Sequence, residues 1–246
     1  MATAALDGLA MPDPLSSSPA GRTSTVLWVL RAVAMRPAGR RTLAVIASTL
    51  AVTGMGLLAY PTATDVYARA IVQPQLAAEY REAVITPPPA AGSVAAGKPL
   101  TRLVVPRLGL RTVVVEGTSP AALRAGAGHY PDTPPPGSAG NVGIAGHRTT
   151  FGQPFRRLDE LRPGDAVHLQ TPSASYTYRV LPAPAGAAHC GRGACWVTAP
   201  DDWSVVDPLD GAMLTLTTCH PEGSAAERLI VRAELARSGQ PVIPRR

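Results

Sequence analysis

A cysteine, an arginine and a histidine stand at the ends of three short β-type runs in this 246-residue chain: Cys219 closes residues 213–219, Arg228 opens 228–235, and His147 closes 141–147. Successive side chains of a strand point to opposite faces. Leu214 and Leu216 therefore share one face of the first run, and Cys219 takes the other with Thr215 and Thr217. In the second run Leu229, Val231, Ala233 and Leu235 form the apolar face and leave Arg228 opposite. In the third, Val142 and Ile144 face one way. His147 faces the other with Gly143 and Ala145, whose small side chains would leave a shallow groove. An eight-residue connection separates Cys219 from Arg228, so antiparallel pairing brings both to one end of a sheet. Such a set supports acyl transfer. A thiolate attacks a carbonyl, an imidazole protonates the departing amine, and a guanidinium stabilises the oxyanion.

Taken singly, each residue has a plainer reading: an inert or paired thiol, a surface histidine after glycine, a solvated strand arginine. The combination is what points to catalysis. The other histidines fit the acid role less well. His220 adjoins Cys219 and reaches the sulfur only if the chain turns sharply; His168 alternates with Val167 and Leu169 towards solvent; His129 and His189 are read in loops. His189, Cys190 and Cys195 supply three local ligands where a structural zinc site takes four, so no metal and no cofactor are expected.

The elements that must hold these residues are short. Further strands are expected at 103–106, 112–116, 166–170 and 175–181, with short helical turns at 120–124 and 154–161, in the manner of a sandwich or barrel. With 26 prolines and 23 glycines the chain is turn-rich, and an all-β class is favoured over a helical bundle. Upstream, residues 42–60 are 19 uncharged, mostly apolar residues, about the length that crosses a bilayer core. Arg22, Arg31, Arg36, Arg40 and Arg41 precede them, and only Asp65 and Arg69 follow closely, which places the N-terminus in the cytoplasm. A basic region of about 40 residues is long for a cleaved signal peptide, so an uncleaved anchor is expected. The arginines before this span are read as membrane flanks, and the net charge of +6 forms no patch that calls for nucleic acid. The organisation expected is a disordered cytoplasmic tail (1–41), a transmembrane helix (42–60), an extracellular linker (61–99), a catalytic domain (100–238) and a C-terminal tail (239–246). Within the linker, 65–83 could form a helix that Pro74 would interrupt, and Pro87, Pro88 and Pro89 mark an extended spacer.

Thr215-Leu-Thr-Thr-Cys219 resembles the TLxTC signature of sortases, which ends in their nucleophile. The run from Asn141 to Arg148 resembles the sortase strand that ends in the catalytic histidine, and Arg228 lies nine residues after Cys219, where the catalytic arginine is expected. The resemblance runs from about residue 100 to 235. It implies an eight-stranded sortase-type β-barrel, with short helices, behind the single transmembrane helix. It also implies a cysteine transpeptidase that cleaves a C-terminal sorting motif after Thr and passes the acyl group to an amine. Gly128-His-Tyr-Pro131, Gly146-His-Arg-Thr-Thr150 and Thr218-Cys-His-Pro221 look most like class E sortases of high-GC Gram-positive bacteria. That class implies LAxTG-type motifs on secreted client proteins, and lipid II or a wall-peptide amine as acceptor. Tyr130, with Thr217 and Thr218 of the signature, is the substrate-binding set so implied. Phe151 departs from the class, which commonly has Tyr after Thr150.

Alternatives are a pilin-polymerising sortase, an L,D-transpeptidase and a non-catalytic, membrane-tethered wall-binding module. Pilin polymerases often carry a second span near the C-terminus, whereas this chain ends in Val242-Ile-Pro-Arg-Arg246; L,D-transpeptidases carry Gly before the nucleophile, where this chain has Thr218. Outside the cell nearby thiols tend to pair. Cys190 and Cys195, with four residues between them in a glycine-rich loop, can bring their Cα atoms to the roughly 4.4–6.8 Å of a disulfide, leaving Cys219 free.

Overall fold

The computed structural model describes residues 37–85 and 94–239. The tail before residue 37, the Pro87 to Pro89 run and the chain beyond 239 lie outside them. Two units are distinguished, up to Leu58 and from Ala59 onward. The first holds most of helix α1 (Pro37–Tyr67), whose Val45, Leu50, Val52, Met55 and Leu57 are exposed. The helical stretch carrying it is long and apolar enough to cross a membrane.

In the second unit ten strands share one sheet: β1 (Pro99–Val105), β2 (Leu110–Glu116), β3 (Ala127–His129), β4 (Gly140–Ala145), β5 (Ala166–Gln170), β6 (Ser175–Val180), β7 (Ala188–Cys190), β8 (Cys195–Thr198), β9 (Ala212–His220) and β10 (Glu227–Gly239). Eight of them close on themselves in the order β6-β5-β1-β2-β3-β4-β9-β10, and β10 returns to β6. Closure depends on the length of β10. Its start pairs with β8, and its later residues, from Ala233, pair with β6 across a register shift between Leu235 and Arg237. The hairpin β7–β8 hangs from the outside of the barrel. Two pairings, β2–β3 and β4–β9, are parallel.

The barrel interior follows the expected alternation. Leu103, Val105, Val142, Ile144, Val167, Leu169, Leu214, Leu216, Leu229 and Val231 interdigitate there with Phe155, Leu158 and Leu161. Tyr178 is fully buried; its hydroxyl accepts the Gly137 N–H at 2.8 Å, and burial pushes its pKa up to about 12. Helix α3 (Pro120–Ala125) starts as its sequence dictates, with Pro120 at the first turn and Ser119 Oγ accepting the Ala122 N–H. Of the turn expected at 154–161, a 3-10 turn forms at Leu158–Glu160.

The segment read as a linker is structured before its proline run. After α1 a π-turn (Ala68–Val72) leads into α2 (Gln73–Ile85). Pro74 does not break the rod. The Gln73 N–H reaches back to Ala68 O, and this widened turn admits a residue that has no N–H to give. Helix α2 buries Leu76 and Tyr80 against Val113, Val115 and Ala122, and Tyr80 donates its hydroxyl to Gln170 O. The Gln73 side chain accepts from Val113 N and the Thr112 hydroxyl, each at 3.0 Å, and donates to Ala125 O at 2.7 Å.

Candidate active site

Two of the three chemistry-bearing residues lie on neighbouring strands of the barrel, and the third, His147, comes two residues after the end of β4. On β9 and β10, Cys219 directly faces Arg228 in the antiparallel ladder, and Arg228 Nη1 points at Cys219 Sγ from 3.9 Å. The same Nη1 donates to Ala225 O at 3.2 Å and Glu227 O at 3.1 Å, so the guanidinium is fixed by the turn that precedes its own strand. On the other side, β4 runs parallel to β9 with Ala145 opposite Thr217, and Gly146 N donates to Thr217 O at 3.1 Å. Two residues further along each chain come His147 and Cys219, level in that register and of the same facing parity. His147 leaves the ladder, because β4 ends at Ala145 and not at residue 147. Gly146 is a steric requirement there: a Cβ would lie 2.7 Å from the Phe155 ring.

His147 and Cys219 are both half-buried. Burial, and secondarily the positive Arg124, holds the His147 pKa below the ordinary histidine value, so its imidazole is neutral at neutral pH. The Phe151 ring lies tilted against that imidazole, with centroids 5.1 Å apart.

The shallow groove expected over Gly143 is filled. Tyr130, Val206 and Thr133 occupy the space; a Cβ on Gly143 would come within 2.7 Å of the Tyr130 ring. Tyr130 is placed from below by its N–H on Gly143 O at 3.0 Å, and by the Thr133 hydroxyl on its carbonyl at 2.7 Å. His129 lies in β3, not a loop, and sits buried between Glu116 and Pro134 O. The Tyr130 hydroxyl bonds Thr217 Oγ1 at 2.9 Å, and its ring meets Trp203 edge to face. Thr217 is thus buried on the groove side. Thr218 shares the core-facing parity of Leu214 and Leu216, and its hydroxyl donates to Gly146 O at 2.7 Å. That bond ties β9 to the histidine loop and commits the Thr218 hydroxyl to the barrel's own backbone.

Two neighbours lay outside the sequence reading. Arg148, 5% exposed, pairs with Asp159 at 3.2 Å and sends Nη1 to Cys219 O at 3.4 Å and to His220 Nδ1 at 2.9 Å. Guanidinium can only donate, so His220 Nδ1 accepts and its ring proton sits on Nε2. His220 is thereby engaged away from the sulfur. Asn141, fully buried, donates to Val205 O and Asp207 O and accepts from the Thr215 hydroxyl, fixing the 3-10 turn Trp203–Val206 beside the groove. Arg232 joins this network through Thr215 Oγ1 and Val205 O while lying over the Trp196 ring, four residues along β10 from Arg228. Cys190 and Cys195 are bonded across the β7–β8 hairpin, with Cα atoms 5.3 Å apart, and Cys219 is the free cysteine among the described residues.

A family model described as the sortase domain matches residues 103–236. Sortase SrtE1 of Streptomyces coelicolor is 34% identical over 158 residues, covering 57% of this chain and 41% of that protein. Sortase D of Bacillus subtilis is 31% identical over 133 residues, covering 52% of this chain and 60% of that protein. The chain thus spans between about two fifths and three fifths of the length of these relatives. Among solved structures, sortase E from Streptomyces avermitilis aligns with a TM-score of 0.52 at 36% identity, over 59% of this chain and 93% of that one. Sortase E1 of Streptomyces coelicolor, determined with a tripeptide in the active site, aligns with a TM-score of 0.52 at 30% identity, over 61% and 94%. With more than half of its length matched by the sortase model and sortase E enzymes among its relatives, the chain belongs to the sortase family and is most like its class E members.

Proposed function

We propose that the chain is a membrane-anchored cysteine transpeptidase that joins secreted proteins to a cell-wall amine, with Cys219 as nucleophile, His147 as proton carrier and Arg228 as oxyanion partner. The observation that carries this reading is Arg228 facing Cys219 across one ladder with its guanidinium turned to the sulfur, while β4, paired with β9 as far as Ala145 and Thr217, ends two residues before His147. The neutral imidazole takes the thiol proton as Cys219 attacks the carbonyl of the Thr–Gly bond in a sorting motif. The carbonyl oxygen gains the charge that the Arg228 guanidinium can meet. Collapse breaks the C–N bond and leaves a thioester on Cys219, and the departing glycine amine takes its proton from His147. A second amine then attacks the thioester, gives its proton back to His147 and releases the thiolate, which recovers it.

Class E likeness supports an LAxTG-type motif and a lipid II or wall-peptide amine. The arginines before residues 42–60 support a cytoplasmic N-terminus with the barrel outside. Tyr130 and Thr217 remain the substrate-contact candidates at the groove. Incubating the protein with LAxTG and LPxTG peptides and a panel of amine acceptors, with products read by mass, tests the assignment. Ligated product with an LAxTG peptide and a wall-peptide amine is expected; no ligation with any pair sinks it.

A further inference from the structure

We propose that the helical segment 60–69, the end of α1 with the first residues of the π-turn, is a positioning part of the active site: it clamps the loop 149–153 in a strained form that seats the Phe151 ring on the His147 imidazole. The inference rests on the catalytic reading of His147. The loop carries three consecutive left-handed residues, Phe151 (φ 53°), Gly152 (φ 85°) and Gln153 (φ 47°). Phenylalanine and glutamine are disfavoured there, and such backbone persists only where its surroundings over-determine it. Here the surroundings are supplied by the helix. One carboxylate, Asp65, accepts the Gly152 N–H at 3.0 Å through Oδ1 and the Gln153 side-chain amide through Oδ2. The Phe151 N–H is directed at Thr64 Oγ1 at 3.5 Å, and Arg69 donates to Gly152 O at 3.4 Å. Ala68, 1% exposed, lets Gly152 approach so closely that a Cβ on it would sit 3.4 Å from the alanine methyl. Tyr60 packs edge-on against Phe151, perpendicular, with centroids 6.4 Å apart.

Phe151 is therefore held between Tyr60 and His147, and its ring keeps water from one face of the imidazole. The loop's own ties are Gln153 N to Thr150 O at 3.0 Å, the Gln153 side-chain amide to Thr149 O at 3.2 Å, Phe155 N to His147 O at 3.1 Å and Arg156 N to Gln153 O at 3.1 Å, whereas the backbone groups of Phe151 and Gly152 are held by the helix. Without the helix, the strained residues are free to relax and the ring to leave.

The test uses the full chain in detergent micelles and follows two quantities: kcat and KM with an LAxTG peptide and an amine, and the titration midpoint of His147 from its imidazole proton signal. Asp65→Ala is expected to lower kcat about 10-fold with KM little changed, as misplacement of a reacting group does. It is also expected to raise the His147 midpoint towards the ordinary value. The sign is diagnostic. Besides Asp65, the charged and titratable groups to weigh are Arg124 on α3, whose charge reaches His147, the adjoining Arg148, and Cys219 on β9 with Arg228 on β10. Deleting a nearby carboxylate charge alone would lower the midpoint, whereas losing the phenyl cover raises it. Asp65→Asn, which keeps an acceptor oxygen, should give a smaller rise. Phe151→Ala should match Asp65→Ala, and Phe151→Tyr should restore both readouts. An unchanged or lowered midpoint in folded Asp65→Ala and Asp65→Asn overturns the clamp, whatever kcat does. Full activity in His147→Ala instead removes the catalytic reading and the clamp's place in it, even where the midpoint moves.

Discussion

At the residue scale, the two outward arginines of β10 separate cleanly. Arg228 aims at the sulfur, while Arg232 is spent on Thr215 Oγ1 and Val205 O beneath the Trp203–Val206 turn. Arg228→Ala should slow turnover by roughly 100-fold or more, as the loss of an oxyanion donor does, and leave the melting temperature nearly unchanged. Arg232→Ala should do the reverse, costing about 1–3 kcal/mol in denaturant titration because Thr215 and Val205 lose a buried donor. The opposite pattern would show that the outward face of β10 is misassigned. Alternation in the sequence was enough to put Cys219, Arg228 and His147 on one side, since each run had two or more apolar residues to define its core face. Arg148 was not legible: a buried arginine in a polar loop has no sequence period, and its partners Asp159, His220 and Cys219 O meet only in three dimensions.

At the element scale, α2 is held to the barrel by few but well-buried groups, so its docking is open to a single substitution. Tyr80 lies against the Arg102 guanidinium, 5.0 Å from its ring centroid, and burial pushes its pKa up to about 12. Tyr80→Ala should cost about 3–5 kcal/mol, the range for deleting a buried aromatic, and expose α2 to limited proteolysis. A loss under 1 kcal/mol would mean that α2 is not part of the folded unit. The sequence reading took Pro74 as an interruption, because the π-turn that accommodates it is set by backbone widening and not by residue type. Strands β3, β7 and β8, of three or four residues, were missed because so few positions carry too little alternation to register. The strand elements also set a pH dependence. His147 beyond β4 and His168 on β5 both have pKa values lowered mainly by burial. The unfolded chain then binds protons at a higher pH than the folded one. Their stabilisation is present above the ordinary histidine value of about 6.5 and is lost as pH falls from there through the folded values. The melting temperature should fall over that window, and His168→Gln should flatten the fall; an equal slope in wild type and variant would contradict this origin.

At the scale of the whole molecule, the described residues comprise a helix long and apolar enough to cross a membrane and a closed barrel in which Cys219 and Arg228 face each other near the end of β4. Closure was not legible from alternation, which assigns faces but not partners. It came from the family resemblance, and the structure shows what accomplishes it: β10 is long enough to serve β9 on one edge and β8 and β6 in turn on the other. The barrel thereby holds Cys219, Arg228 and the end of β4 in fixed register, and the central claim is that this register is a transpeptidase site. Mass measurement of the intact protein after brief mixing with an LAxTG peptide, without an acceptor amine, tests it most directly. The account predicts an adduct on Cys219 equal to the peptide through its threonine, lost on adding amine and absent in Cys219→Ala. Cleavage of the peptide by Cys219→Ala, or an adduct on any other residue, would contradict it.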